Sequence, residues 1–115
     1  AQLRRVQQFN ETLAQNPFNP PSIKELLGIL GEDLYQSLLN RGSLIQLSPD
    51  VAIRDIEFSA MRDYVVAQCE KGILLTLGQF RDHFETSRKV SQAFLEHLDR
   101  IGLTVRAGEG RRLKA

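Results

Sequence analysis

Two cations lie in the first turn of a predicted helix, where acidic residues are usual. The apolar positions from Val90 onward have helical spacing, and Thr86 or Ser87 is suited to cap that helix at its N-terminus. Arg88 and Lys89 then stand at the positive end of the helix dipole, which disfavours them weakly. A phosphate would reverse this effect, because the dipole, the free backbone N–H groups and both cations would all attract it. The pattern therefore indicates a phosphate-binding helix terminus.

Basic residues are concentrated in the C-terminal part of the chain. Up to residue 80 the sequence contains seven Lys or Arg and nine Asp or Glu, and beyond it eight and five. Three of the later cations, Arg106, Arg111 and Arg112, share a short segment with a single acid, Glu109. This asymmetry indicates an anionic partner for the C-terminal end, although the net charge of the whole chain is only +1.

The sequence lacks motifs for catalysis and for metal binding. It contains no GxxxxGK[ST] loop, no GxGxxG after a predicted strand and no cysteine–histidine cluster with zinc spacing. His83 and His97 are far apart, and His97 lies on an apolar stripe, which is typical of a packed histidine. We therefore expect that this chain is not an enzyme and has no catalytic residues, no cofactor and no metal site.

The composition indicates a globular chain of the cytoplasm. No run of residues approaches the roughly 20 apolar positions that a membrane helix needs, so we expect no membrane contact. A single cysteine, Cys69, excludes an internal disulfide and fits a reducing compartment. Because the chain begins at Ala1 inside a helical pattern, we expect it to be part of a longer protein, and we expect it to be a monomer.

The elements that would position the basic residues occur twice along the chain. Each copy has three helical segments followed by a hairpin pattern, with turns at Ser48–Asp50 and at Ala107–Gly110. The segment Leu39–Leu44 matches Leu98–Leu103 at an offset of 59 residues. Three helices and a hairpin in this order are typical of a winged helix, which is a helix-turn-helix completed by a β-hairpin wing.

We predict an α+β, mainly helical fold with two tandem winged-helix domains, residues 1–54 and 55–115. The two copies differ where a winged helix meets nucleic acid. The first copy has Gly31-Glu32-Asp33 at the start of its third helix, where the second has Ser87-Arg88-Lys89. The charges of the first wing sum to zero, and those of the second sum to +2. We therefore expect the first domain to be a structural spacer and the second to bind RNA.

The exposed face of the second copy's third helix does not favour a reader of duplex DNA. Beyond the first turn this face offers Gln92, Glu96 and Asp99, and the two acids oppose insertion between phosphate backbones. Contact through the helix N-terminus and the wing alone suits structured RNA better. Two alternatives remain open: a winged helix that binds another protein, and a regulator that binds duplex DNA.

Three stretches of the second copy resemble a known family. They are Thr86–Lys89, Phe94–Thr104 and Arg106–Arg111. In order and spacing they are similar to the C-terminal winged-helix region of the selenocysteine-specific elongation factors, the SelB family. The first copy agrees with this region in architecture more than in motif. Val105 departs from it, because a second arginine is common at that position in the family.

This resemblance implies a role in translation. Members of the family carry upstream GTPase and tRNA-binding domains, act on the ribosome, and bind an mRNA hairpin, the selenocysteine insertion element, through their last winged helix. The N-terminal part of the third helix and the wing make the hairpin contacts. Carried over by position, the resemblance nominates Ser87, Arg88, Lys89, Arg106 and Arg111 as RNA-binding residues. Charge and spacing add Arg112.

Overall fold

Six helices and five short strands make up residues 2–114, the part of the chain that the computed structural model describes. The chain divides into two compact units, residues 1–57 and 58–115. The predicted α+β, mainly helical fold of winged helices is confirmed. The predicted limits of the two domains and the roles assigned to them, structural and RNA-binding, stay predictions.

The first unit consists of three helices and a hairpin. The Oγ of Ser22 accepts a hydrogen bond from the backbone N–H of Glu25 at 3.2 Å and so caps the second helix. The side chains that face inward are almost all leucine and aromatic, and they form one core with Phe9, Leu13, Leu26 and Leu30 at its centre. The elements are α1 (Gln2–Gln15), α2 (Ile23–Leu30), α3 (Glu32–Asn40), β1 (Leu44–Gln46) and β2 (Ala52–Arg54).

The second unit repeats this plan and adds one strand. The full reciprocal capping box lies at the start of its second helix, where the side chains of Thr76 and Gln79 each bond the other's backbone N–H. Phe80 and Phe94 stack at 5.2 Å between ring centres and form the middle of the core. The elements are α4 (Asp55–Glu70), which begins just before the boundary between the units, β3 (Leu75–Thr76), α5 (Leu77–Phe84), α6 (Arg88–Arg100), β4 (Thr104–Ala107) and β5 (Gly110–Leu113).

The wing of the second unit belongs to a three-stranded sheet of order β3-β5-β4. Strand β3 pairs antiparallel with β5, with Leu75 opposite Arg111 and Thr76 opposite Gly110. A Cβ on Gly110 would lie 2.7 Å from the Cγ of Leu74 and 3.0 Å from the carbonyl oxygen of Leu75. Glycine at this position therefore lets the wing approach β3 closely and holds it against the body of the unit.

The turn of this wing has only two central residues, Gly108 and Glu109. Gly108 has a φ of +60°, whereas the φ of Glu109 is negative. A positive φ at the first central residue alone is the pattern of a type II′ turn, which matches the twist of the flanking strands. This turn fixes the register of β4 and β5, and therefore decides which arginines share a face. No helix in the described part of the chain is both long enough and apolar enough to cross a membrane.

Candidate nucleic-acid interface

The start of α6 has the geometry of an anion-binding helix terminus. Ser87 has an extended backbone and its Oγ accepts a hydrogen bond from the N–H of Val90 at 3.1 Å, so Ser87 is the N-cap. Thr86, the other candidate, is buried beside it. Arg88 and Lys89 occupy the first turn and are exposed, as the sequence predicts. Helix geometry leaves the first backbone N–H groups of this turn without intrahelical acceptors.

The corresponding helix start in the first unit carries acids instead of cations. α3 begins after Gly31, which offers no side-chain cap, and its first turn contains Glu32 and Asp33. The guanidinium of Arg5 lies close by, with its Nη1 3.5 Å from the place that a Cβ on Gly31 would take. Acids at this end complement the helix dipole, and an anion from outside would meet two negative charges.

The wing places two of its arginines on one face and the third on the other. Arg106 lies directly opposite Arg111 in the register of β4 and β5, so both occupy the same face of the hairpin. Arg112 lies opposite Val105 on the other face, and its Nη1 donates to the carbonyl oxygen of Leu113 at 3.2 Å. The three arginines that the sequence groups together therefore do not form one cluster.

Arg111 is held inside the unit by an acid of α6. Its side chain is 6% exposed, and its Nε and Nη2 donate to Oδ2 of Asp99 at 3.3 and 3.1 Å. The other oxygen of this carboxylate, Oδ1, accepts a hydrogen bond from the Oγ1 of Thr104 at 2.6 Å. Arg106, in contrast, is exposed, and its side chain has no hydrogen bond or ion pair with any residue that the structure describes.

A cleft of about 390 Å³ brings these elements together within the second unit. Its walls come from the start of α5, the exposed face of α6 and the wing. Four arginines and two glutamates are among the residues that line it, so cations outnumber acids. The lining residues are Thr76, Leu77, Gly78, Arg81, Arg88, Gln92, Glu96, Arg106, Glu109 and Arg111.

The cleft contains some of the predicted site residues and not others. Arg88, Arg106 and Arg111 line it, whereas Ser87, Lys89 and Arg112 are not among its lining residues. Ser87 contributes by capping α6 through its side-chain Oγ. Lys89 extends the basic surface beyond the cleft, and Arg112 lies on the far face of the wing.

Sequence reasoning missed Arg81, the fourth arginine of the cleft. It lies on α5, and its Nε donates to Oδ1 of the neighbouring Asp82 at 3.1 Å. The Arg81 side chain is 40% exposed. An ion pair between exposed neighbours contributes little and leaves the guanidinium available. The sequence showed only an arginine in a helix. Its place in the cleft depends on how α5 packs beside the wing, which no local pattern encodes.

His97 and Cys69 are accounted for by packing. The ring of His97 lies edge-on to Phe58 at 5.6 Å, and burial, with a smaller effect of Arg100, lowers its pKa. The Sγ of Cys69 lies 3.6 Å from the carbonyl oxygen of Arg111, and burial raises the pKa of this thiol. Among residues 2–114, no cluster of His, Cys, Asp and Glu has the arrangement of a metal site.

Comparison with known proteins gives one family match and a shared fold. Residues 70–113 match the family model described as the winged helix of elongation factor SelB. None of the curated proteins matches the chain in sequence. The mRNA-binding domain of elongation factor SelB from E. coli, solved in complex with SECIS RNA, is similar with a TM-score of 0.73 and 19% identity. That match covers 96% of this chain and 97% of the other.

A second solved structure places the same fold inside a much longer protein. The bacterial selenocysteine-specific elongation factor EF-Sec is similar with a TM-score of 0.74 and 22% identity over 93% of this chain, but only 18% of the EF-Sec chain is covered. The family match, which spans the cleft and the wing, agrees with the motifs seen in the sequence. The resemblance to the C-terminal winged-helix region of the SelB elongation factors is thereby confirmed.

Proposed function

We propose that the second unit binds an mRNA hairpin of the SECIS type as the C-terminal part of a SelB factor. The observation that carries this proposal is the convergence of Arg88, at the start of α6, and Arg106, on the wing, in one cleft. The two residues lie on different elements, and each has an exposed guanidinium without a hydrogen-bond or ion-pair partner among the described residues. A guanidinium grips a phosphate through two parallel hydrogen bonds, so two of them can follow a folded backbone.

The acids of the cleft support RNA over duplex DNA. Glu96 lies on the exposed face of α6 and Glu109 at the tip of the wing turn, and both line the cleft. A carboxylate pushed towards a phosphate backbone is repelled, so the middle of α6 is poorly suited to the major groove of DNA. Exposed cations at the helix start and on the wing suit a partner that presents its backbone at these two places.

The site residues divide by what their surroundings allow. Arg88, Lys89 and Arg106 are exposed and are assigned to phosphate contacts, and Ser87 presents the helix start to the same phosphate. Arg111 is buried and paired with Asp99, so its main part in the site is to hold the wing. Arg112 is assigned a peripheral contact, because the strand alternation turns it away from the cleft.

The rest of the proposal concerns the parent protein. By the family likeness, upstream GTPase and tRNA-binding domains precede this chain in a cytoplasmic factor that acts on the ribosome, with the chain itself non-catalytic and monomeric. The first unit serves as a spacer, which agrees with the acids at the start of α3. The E. coli and EF-Sec structures support a common fold for this region, and the fuller role rests on the motifs of the second unit.

A competition assay tests the binding proposal. A pool of RNA hairpins with a common stem and a randomised loop is selected on the wild-type chain, and the best hairpin is titrated against duplex DNA and against a linear RNA of the same composition. We expect the hairpin to win, with an affinity that falls steeply as salt rises. Equal competition by duplex DNA would favour the DNA regulator, and a flat salt response with no RNA affinity would favour a protein-binding module.

Two substitutions test the contribution of individual residues in this assay. Arg88→Gln should cost about 1–3 kcal/mol of hairpin affinity and lower the salt slope by about 0.7–0.9, because one charge-assisted phosphate contact is lost. Arg4→Gln is the matched control, since Arg4 is an exposed arginine on α1 of the first unit. An equal loss in both variants would remove the cleft from the binding site.

A further inference from the structure

Asp99 connects both strands of the wing to α6. Its Oδ1 accepts the hydrogen bond of Thr104 on β4, and its Oδ2 accepts two from Arg111 on β5. Thr104 and Arg111 are both buried. One carboxylate in the last turn of α6 therefore fixes the place of the wing relative to the helix that begins at Arg88.

This link sets the position and the electrostatic surroundings of Arg106. Because Arg106 lies opposite Arg111 on the same face of the hairpin, the place of Arg111 determines where Arg106 projects. Asp99 also neutralises Arg111, so that Arg106 does not face an uncompensated like charge across the strands. The carboxylate thus pairs with Arg111 and leaves Arg106 exposed.

The first unit has a neutral residue at the position that corresponds to Asp99. At the offset of 59 residues, Asn40 corresponds to Asp99, and Asn40 is exposed at the end of α3. An acid at a helix C-terminus opposes the dipole, whereas a neutral asparagine does not. The acid is therefore present in the unit whose wing offers Arg111 as its partner, whereas Arg54 in the first wing pairs with Glu57 instead.

We propose that Asp99 is a positioning residue for RNA recognition. It fixes the wing so that Arg106 and Arg88 meet the same folded backbone, and it withholds Arg111 from phosphates. Discrimination between a hairpin and other RNA therefore depends on Asp99, although this residue contacts no RNA itself. The inference rests on the proposed function of the second unit.

The test compares Asp99→Asn with wild type on the selected hairpin and on the linear RNA of the same composition. Asparagine keeps the size of the side chain and removes the charge that pairs with Arg111. We expect hairpin affinity to fall by about tenfold or more, since a charged hydrogen-bonded pair is broken. Affinity for linear RNA should not fall, and the salt slope should steepen by about 0.7–0.9 as Arg111 becomes available to phosphate. A merely structural role would lower both affinities together and would not steepen the slope.

A second variant covers the case in which Asp99→Asn does not fold. Thr104→Val has nearly the same shape, removes the bond to Oδ1 and keeps the ion pair between Asp99 and Arg111. We expect it to lose less hairpin affinity than Asp99→Asn, with an unchanged salt slope. Equal affinities of wild type and Thr104→Val for the hairpin would overturn the role of the carboxylate in holding β4.

A measurement without RNA separates this proposal from the proposed function. Amide hydrogen exchange of the free chain should speed up in β4 and β5 of Asp99→Asn and Thr104→Val, and stay unchanged in the first unit. Unchanged exchange in the wing of both variants overturns the positioning role, whatever RNA does. A wild-type chain without any preference for the hairpin overturns the proposed function and, with it, the recognition part of this proposal.

Discussion

Exchanging Arg88 for glutamate should make the second unit more stable and a worse RNA binder. Arg88 is the first residue of α6 and is exposed, and in the described part of the chain its side chain has no hydrogen bond or ion pair that the substitution would remove. It lines a cleft in which arginines outnumber glutamates. In the first unit the same position is occupied by Glu32.

The gain in stability has two parts. Removing a cation from the positive end of the helix dipole and placing an anion there each contribute about 0.3–1 kcal/mol, so the unfolding free energy of the second unit should rise by about 0.6–2 kcal/mol at low salt. Relief of repulsion among the cleft arginines acts in the same direction. Both parts are screened, so the gain should shrink as salt rises.

Native-state hydrogen exchange of the α6 amides measures this change for the second unit alone. The same sample serves for hairpin titration, in which Arg88→Glu should bind more weakly than Arg88→Gln, because it adds repulsion of the phosphate to the lost contact. The reciprocal variant Glu32→Arg should destabilise the first unit by a similar amount and leave hairpin affinity unchanged. A less stable second unit in Arg88→Glu, or unchanged hairpin affinity, would refute the assignment of Arg88 to a phosphate.

Three further predictions concern the body of the units. Gly110→Ala should destabilise the second unit by about 1–3 kcal/mol in urea unfolding, because its Cβ meets the backbone of Leu75, which cannot yield as a side chain can. Gly28→Ala, inside α2 with open space around it, should instead stabilise the first unit by about 0.4–1 kcal/mol, and equal effects of the two variants would contradict the steric argument. Burial lowers the pKa of His97 below its ordinary 6.5, so the unfolded chain binds this proton more readily and stability should fall as pH drops through about 6.5. His97→Gln should flatten that dependence in thermal unfolding, and an unchanged pH profile would contradict it.

Local patterns in the sequence predict the elements well, because those elements carry their own signals. A cap at Thr86 or Ser87 and the hairpin turn before Gly110 both follow from residue types at short range. Strand β3 carries no such signal, because it has only two residues and its pairing with β5 depends on the absence of a Cβ at Gly110, which is a tertiary feature.

The composition of the site was harder to predict than its location. Arg111 and Arg112 are neighbours on a strand, so they must face opposite sides, but the sequence does not say which side meets α6. The structure answers this through Asp99, which lies twelve residues before Arg111 and pairs with it. Arg81 enters the cleft from a third element, so only the packing of α5 brings it into the site. The distribution of charge along the sequence therefore predicts the basic surface, but it does not identify the partner of each cation.

The charges at the two ends of α6 differ in whether they have a partner inside the unit. Both ends carry charges that oppose the helix dipole, with Arg88 in the first turn and Asp99 in the last. Asp99 is compensated inside the unit, because Arg111 and Thr104 bond both of its oxygens. Arg88 has no hydrogen bond or ion pair with a side chain in the described part of the chain. The charge with an internal partner belongs to the architecture of the wing. The charge without one is best explained by an anion from outside, and the cleft that Arg88 shares with Arg106 is where an RNA backbone can supply it.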